Sequence, residues 1–225
     1  MDRPYTFINV AMTADGKIDT FERKGASISS ARDKQRVDEL RAEAEGILVG
    51  GRTLLEEDPK LTVKSESLRA ERVRRGLSPN PAKIGVATVA ALDPGSEFLT
   101  AGPARVVIFT TNRTSGEQVA GLRARGVEVY IHDREQIDLI VMMRTIKRMG
   151  IDRLMVEGGG TMNFELIRLG MVDEISAYVA PMLFGGANAP TLADGLGLAR
   201  DAAVSLQLKN VEQLEDGGVV LRYIV

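Results

Sequence analysis

Three consecutive glycines follow a glutamate in Glu157-Gly-Gly-Gly-Thr161, between a short apolar run and a pattern typical of a helix. Glycine lets the backbone approach a ligand closely, and the unpaired amides and dipole of the following helix attract phosphate. However, the G-x-G-x-x-G spacing is absent, and turns of this composition also occur without a ligand. Phosphate binding and a purely structural turn are therefore both open.

A second strand-to-helix junction runs from Gly50 to Thr53 and offers further free amides and a hydroxyl. Two such junctions in one chain suit a dinucleotide, whose phosphates are spread over a wide site. Glu157 stands where a strand ends at the glycine turn, which is where open α/β sheets bind their ligands. We interpret Glu157 either as a ligand contact or as a carboxylate that fixes the turn.

Other charged residues have simpler interpretations. Arg41 and Lys64 are single cations of the kind that is ordinarily solvated. Asp15-Gly16 is typical of a turn, and Asp58-Pro59 of a helix end. His132 follows a predicted strand and is interpreted as a loop residue rather than a catalyst.

The composition excludes several classes of protein. The 225 residues include 29 Lys+Arg, 31 Asp+Glu, one His and no Cys. Without cysteine, disulfide scaffolds, thiolate metal sites and cysteine nucleophiles are excluded, and a reducing cytoplasm fits. The balanced charge disfavours non-specific nucleic-acid binding, and no apolar run is long enough to span a membrane. We expect one cytoplasmic domain over residues 1–225, without a metal and without nucleic-acid or membrane partners.

Alternating strand and helix patterns position these residues. Strands are predicted at 5–11, 46–50, 83–89, 106–111, 127–131, 151–156 and 172–180, and helices at 31–45, 115–125, 139–149 and 161–169. Two further strands, 204–214 and 219–225, flank a hairpin turn. This order predicts an α/β fold, with a mixed, mainly parallel sheet, helices on both faces and a C-terminal antiparallel hairpin.

Two longer connections lie between these elements. The charge run Arg69 to Arg75 is interpreted as a solvated helix and loop rather than an anion site. The segment 93–103 is punctuated by proline and glycine and connects two of the predicted strands.

Several motifs, taken in order along the chain, resemble one family. They are Asn9-Val-Ala-Met-Thr-Ala-Asp-Gly-Lys-Ile18, Arg36-Val-Asp-Glu-Leu-Arg-Ala42, the run from Ile47 to Lys64, Val156-Glu-Gly-Gly-Gly-Thr161, Val172-Asp-Glu174, the run from Ala180 to Gly186, and Ala189-Pro-Thr-Leu192. The chain is similar in these motifs to the riboflavin-biosynthesis pyrimidine reductases, which have a dihydrofolate-reductase-like fold. The resemblance implies a homodimeric enzyme that uses NADPH, sometimes NADH, to reduce the ribosyl group of a ribosylaminopyrimidine 5′-phosphate to a ribityl chain.

The resemblance also implies roles for particular residues. It places the nicotinamide cofactor against Ala11, Ser27, Thr53, Glu57, Thr88, Gly158, Gly159, Gly160 and Thr161. It places the substrate against Arg41, Leu61, Lys64 and Glu157, with Glu157 as the catalytic residue.

Three positions depart from the family pattern. Glu57 replaces the common aspartate, Lys64 the frequent arginine, and Ala87-Thr88 the usual Asp-Ser. A longer acid can still accept a hydrogen bond, and a lysine still meets phosphate as a point charge. Ala87 removes a carboxylate outright.

The implied chemistry suits a chain with few catalytic side chains. A glycosylamine can open to an imine, and reduction at C1′ then depends mainly on positioning in a dry cleft. The donor of the proton to the sugar ring oxygen stays open between Glu157, Lys64 and water. A folate reductase on the same fold, and a nucleotide-binding module without activity, are the alternatives.

The pyrimidine itself follows from the cysteine count and the resemblance. Bacterial relatives are commonly fused to a zinc deaminase, whose ligand set a chain without cysteine cannot supply. The chain is therefore interpreted as a reductase alone. Its resemblance to stand-alone members implies 2,5-diamino-6-ribosylamino-4(3H)-pyrimidinone 5′-phosphate as substrate, with the deaminated 5-amino-6-(5-phosphoribosylamino)uracil as the alternative.

Overall fold

The computed structural model describes residues 2–225, which form nine strands and six α-helices. The strands are β1 (Tyr5–Thr13), β2 (Gly46–Gly50), β3 (Ala82–Val86), β4 (Val106–Thr111), β5 (Glu128–His132), β6 (Arg153–Val156), β7 (Glu174–Ala180), β8 (Gln207–Gln213) and β9 (Val219–Ile224). The helices are α1 (Ala31–Glu43), α2 (Glu66–Arg74), α3 (Glu97–Thr100), α4 (Gly116–Ala124), α5 (Leu139–Arg148) and α6 (Gly160–Arg168). A π-helical turn at Thr53–Glu57 and a 3₁₀ turn at Arg200–Ala202 complete the regular structure of these residues.

The chain divides into two compact units, each built from separate stretches of sequence. The first unit contains residues 2–4 and 38–155, and the second contains residues 5–37 and 156–225. The chain passes from one unit to the other at the start of β1, inside α1 and at the end of β6. A single domain over 1–225 stays a prediction.

The first unit contains strands in the order β5-β4-β3-β2-β6. Neighbouring strands β2–β3, β3–β4 and β4–β5 run parallel, with Val49 beside Gly85 and Gly85 beside Ile108. Every residue of β2 and β3 is buried, and apart from Lys83 these residues are apolar or glycine, as is typical of parallel strands that are covered on both faces. A Cβ at Gly85 would lie 2.7 Å from the side chains of Leu54 and Ile108, so glycine at this position lets the π-helical turn pack on the sheet.

The second unit contains strands in the order β1-β7-β9-β8. β1 and β7 are parallel, whereas β7–β9 and β8–β9 are antiparallel. Ile28, Tyr178, Ala180, Leu214 and Val220 form a buried apolar cluster beneath these strands. The predicted mixed, mainly parallel sheet with a C-terminal antiparallel hairpin is confirmed.

The connection at 93–103 contains helix α3, a four-residue helix capped by Ser96. The interpretation of the charge run is wrong in part. The charge run is helix α2, and its Arg72 is only 1% exposed, not solvated. Arg72 donates to the carbonyl oxygens of Ala42 and Ala44 at the C-terminal end of α1, where a cation satisfies carbonyls that have no partner within the helix.

None of the helices within residues 2–225 is long and apolar enough to cross a membrane.

Candidate functional site

The π-helical turn after β2 brings two predicted cofactor residues together. Thr53 is buried, and its hydroxyl donates to the Glu57 carboxylate over 3.1 Å. Glu57 itself is exposed, so this carboxylate keeps acceptor capacity toward solvent. Short π-helical segments occur frequently at functional sites.

The chain then turns sharply between Asp58 and Leu61, both in the left-handed region with φ of 45° and 48°. The Asp58 carboxylate accepts from the amides of Glu97 and Phe98 at 2.8 and 2.9 Å, which fixes this turn to the start of α3. Leu61 is only 1% exposed. Its contact with the substrate stays a prediction.

The predicted substrate cations lie close to one another along the same unit. The Arg41 guanidinium donates to the Thr62 carbonyl oxygen at 3.1 Å, so this cation already has a hydrogen-bond acceptor within the chain. Lys64 is exposed, and its ammonium has no hydrogen bond or ion pair with the described residues 2–225. Lys64 is therefore the cation of this pair that is available to a ligand anion.

Thr88 follows β3, at the carboxyl edge of the parallel strands. Its carbonyl oxygen accepts from the hydroxyls of Thr111 and Thr110 at 2.8 and 3.3 Å, which holds the loop against the end of β4. The neighbouring Ala87 is buried, and a Cβ built at Gly51 would lie 3.5 Å from it. The ends of β2 and β3 therefore place Thr53 and Thr88 at the sheet edge where α/β folds bind ligands.

The glycine turn lies in the second unit, between β6 and α6. Gly158 has a φ of 93°, and a Cβ at this position would meet nothing within 4 Å. Gly159 is the N-cap of α6 and supplies no side-chain cap, so the first amides of this helix are not occupied by a capping side chain. Glu157 before the turn is half-buried, and Thr161 after it is exposed.

Gly160 serves the fold as well as the turn. A Cβ at Gly160 would collide with the Thr191 carbonyl oxygen, and the Asp194 amide donates to the Gly160 carbonyl oxygen at 3.0 Å. The close backbone approach at this glycine is thus made by the protein's own 191–194 loop. Its contact with a cofactor stays a prediction.

Ala11 and Ser27 also belong to the second unit. Ala11 packs against the buried cluster that contains Ile28 and Tyr178. Ser27 is exposed at the end of a loop that Asp19 organises, because the Asp19 carboxylate accepts from the amides of Gly25 and Ala26 at 2.9 and 2.8 Å.

Asp15 does more than complete a turn. Its carboxylate accepts from the Thr13 hydroxyl at 2.5 Å and from the Gly185 amide at 2.7 Å. The Thr13 hydroxyl and the amides of Gly185 and Phe184 lower the pKa of the Asp15 carboxyl. Asp15 therefore anchors the 184–185 loop, a role that turn chemistry alone does not indicate.

His132 is the last residue of β5, not a loop residue. Its ring lies 6.2 Å from that of Phe109, and burial lowers its pKa. Within residues 2–225, no three His, Cys, Asp or Glu side chains are placed to hold a metal ion together.

The predicted residues thus form two groups, one in each unit. Arg41, Thr53, Glu57, Leu61, Lys64 and Thr88 belong to the first unit, and Ala11, Ser27, Glu157, Gly158, Gly159, Gly160 and Thr161 to the second. The functions of these side chains stay predictions.

Comparison with known proteins identifies related sequences and folds. The family model described as the RibD C-terminal domain matches residues 4–220. The chain is 36% identical over 218 residues to the 2,5-diamino-6-ribosylamino-4(3H)-pyrimidinone 5′-phosphate reductase of Archaeoglobus fulgidus, and 39% identical over 219 residues to that of Methanothermobacter thermautotrophicus, covering 97% of each chain. Its fold matches the crystal structure of a pyrimidine reductase-like protein from Corynebacterium diphtheriae with a TM-score of 0.82 at 19% identity, over 99% of this chain and 92% of that chain.

Proposed function

Because the chain belongs to the RibD C-terminal domain family, we propose that it is a reductase that converts the ribosyl group of 2,5-diamino-6-ribosylamino-4(3H)-pyrimidinone 5′-phosphate to the ribityl chain with NADPH. The observation that carries this proposal is the alignment of nearly the whole chain with two reductases of that name. The sequence resemblance to the riboflavin-biosynthesis pyrimidine reductases is thereby confirmed.

Several features fit a nicotinamide dinucleotide. The first amides of α6 lack a capping side chain, and the space beside Gly158 is open, which suits the pyrophosphate. At the ends of β2 and β3, the Glu57 carboxylate and the Thr88 hydroxyl are suited to hydrogen-bond ribose or carboxamide groups. When bound, NADPH supplies the hydride for C1′ of the substrate.

On the substrate side, Lys64 binds the 5′-phosphate through its exposed ammonium. Glu157 orients the ribosylamine or delivers a proton, and Arg41 contributes positive charge beside the segment that carries Lys64.

The direct test measures NADPH consumption by the purified chain with three substrates. We expect turnover with the diaminopyrimidinone, a lower kcat/KM with the deaminated uracil, and none with dihydrofolate. A preference for the uracil would indicate that deamination precedes reduction. Turnover of dihydrofolate alone would favour a folate reductase. NADPH binding without turnover of any substrate would favour the inactive nucleotide-binding module.

A matched comparison tests the phosphate contact. Removing the 5′-phosphate from the substrate should lower kcat/KM much more for the wild type than for Lys64→Ala, since a contact already lost cannot be lost twice. Equal penalties in both proteins would assign the phosphate to another residue.

The proposed enzyme is a cytoplasmic homodimer whose second copy covers the outer edge of β8. Residues 195–211 are exposed at every position, and Leu208 and Val211 on β8 are 52% and 53% exposed. No strand within residues 2–225 pairs with this edge, and exposed apolar edges of this kind favour pairing with another chain.

A further inference from the structure

The segment Thr62–Ser65, which carries Lys64, has neither helix nor strand structure. Irregular backbone must obtain its hydrogen bonds elsewhere, and here side chains from other elements of the first unit provide them. Four side chains contribute, and they come from α1, from α2 and from the loop before β3: Asp38, Arg41, Arg69 and Asn80.

Asp38 holds the Lys64 backbone from the amide side. It lies on α1 and is 8% exposed. One carboxylate oxygen accepts from the Lys64 amide at 2.6 Å, and the other accepts from the Ser65 amide at 2.8 Å. Charge-assisted bonds to two consecutive amides fix both the position and the direction of the chain at this point.

Arg69 holds the same residues from the carbonyl side. Its guanidinium donates to the carbonyl oxygens of Val63 and Lys64 at 2.9 and 2.6 Å. Asn80 accepts from the Val63 amide at 2.9 Å. Both backbone polar groups of Lys64 are therefore engaged, and only its side chain extends toward solvent.

We infer that Asp38 and Arg69 are positioning residues that hold the backbone of Lys64 so that its ammonium meets the 5′-phosphate of the substrate. This inference rests on the proposed function. An exposed lysine on a free loop would have to be ordered at each binding event, whereas a backbone held in advance avoids part of that entropy cost. Neither residue needs to touch the substrate for this effect.

The test uses Asp38→Asn and Arg69→Gln, each with a control from the same helix. Glu43→Gln changes an exposed ion-pair residue of α1, and Arg74→Gln changes an exposed ion-pair residue of α2. For the first two variants we expect KM for the phosphorylated pyrimidine to rise roughly 10- to 100-fold, the scale of a displaced binding group. KM for NADPH and kcat/KM for the dephosphorylated substrate should change little, and the controls should behave as wild type.

Two further measurements separate positioning from a general loss of stability. Combining either variant with Lys64→Ala should add little to the loss that Lys64→Ala causes alone. Hydrogen exchange at the Lys64 and Ser65 amides should be faster in Asp38→Asn, because their acceptor is weakened. If Asp38→Asn does not fold, Arg69→Gln tests the inference alone. Arg69 is half-buried, and its replacement leaves without a partner only carbonyl oxygens near the surface, so this variant should fold.

The inference is overturned if the variants lose activity equally with both forms of the substrate, or if their effects add to that of Lys64→Ala. It is also overturned if wild-type activity depends on the 5′-phosphate while Asp38→Asn and Arg69→Gln have the same KM for the substrate as their control variants. By contrast, a wild-type protein that does not reduce the pyrimidine overturns the proposed function itself, so the two failures are distinguishable.

Discussion

Glu157 directly follows the buried strand β6, and its side chain is half-exposed where the chain enters the glycine turn. The strand holds the backbone of Glu157 in place, and its carboxylate lies where a ligand can reach it. An acid–base or orienting group needs both properties. Glu165 on α6 differs in this respect, because it pairs with Arg168 at the surface.

The first prediction is that Glu157→Gln lowers kcat on the ribosylaminopyrimidine by about 10²-fold or more while NADPH affinity is kept. Steady-state kinetics and a cofactor titration measure the two quantities. Glu165→Gln removes the same charge nearby and should leave both unchanged. Wild-type turnover in Glu157→Gln would reject a catalytic role.

Gly159 offers a test of the cofactor turn that the fold should tolerate. Its φ of −75° and ψ of −174° lie in the extended region that valine also adopts. We expect this variant to stay folded but to lose NADPH binding, because the β-branched side chain blocks approach of the pyrophosphate. Normal NADPH affinity in a titration would show that the turn is structural.

Gly160→Ala provides the contrasting case. There the added Cβ meets the Thr191 carbonyl oxygen, so we expect a lower melting temperature rather than a selective loss of cofactor binding.

At the scale of elements, α3 is held at both ends by side chains from elsewhere in the first unit. Asp58 accepts from its first amides, and the Lys83 ammonium donates to the carbonyl oxygens of Phe98 and Ala101 at 2.9 and 2.6 Å. Lys83 is fully buried on β3, and burial lowers its pKa from 10.5 to about 8, although the carboxylates of Asp58 and Glu97 oppose the shift. The turn that carries Leu61 is thus tied through α3 to the central strand.

This arrangement predicts a pH dependence of stability. Between pH 8 and 10.5 the folded state has released the Lys83 proton and the unfolded state still binds it, so unfolding takes up a proton. Raising the pH through this window therefore opposes unfolding. Urea unfolding should show the wild type gaining stability relative to Lys83→Met as the pH rises, and parallel curves for the two proteins would contradict the prediction.

The elements that sequence patterns predict well are those whose periodicity is strong. Helix α4 begins with the expected capping box of Ser115 and Gln118, and the apolar run of β2 has its predicted bounds. Helix α3 is too short to show a periodicity, and its stability comes from Asp58 and Lys83, which are distant in sequence.

The candidate site shows the same limit. The glycine turn and the carboxyl ends of β2 and β3 follow from local patterns. By contrast, no local pattern distinguishes Asp38 from the adjacent Glu39, because the role of Asp38 depends on amides 26 and 27 residues away along the chain. The residues around Arg72 predict a helix, but they give no sign that the Arg72 side chain binds the carbonyl oxygens at the end of α1.

At the scale of the whole molecule, the exposed edge of β8 predicts assembly. We expect the wild type to be a dimer in light scattering, and Leu208→Asp or Val211→Asp to shift it toward the monomer, since a charge on the pairing surface opposes burial. Val73→Asp is the matched control, because Val73 on α2 is 53% exposed as Val211 is. A monomeric wild type, or variants that stay dimeric, would exclude this surface as the interface.

The pairing of β1 with β7 has a consequence for synthesis on the ribosome. Phe7 of β1 lies beside Glu174 of β7. The apolar β1 therefore cannot pair with β7 until 167 further residues have been synthesised. At roughly 5–20 residues per second, this delay is about 10–30 s. We therefore expect a nascent chain that exposes Ile8 and Val10 for so long to bind chaperones, and its yield in a cell to depend on how fast β7 emerges.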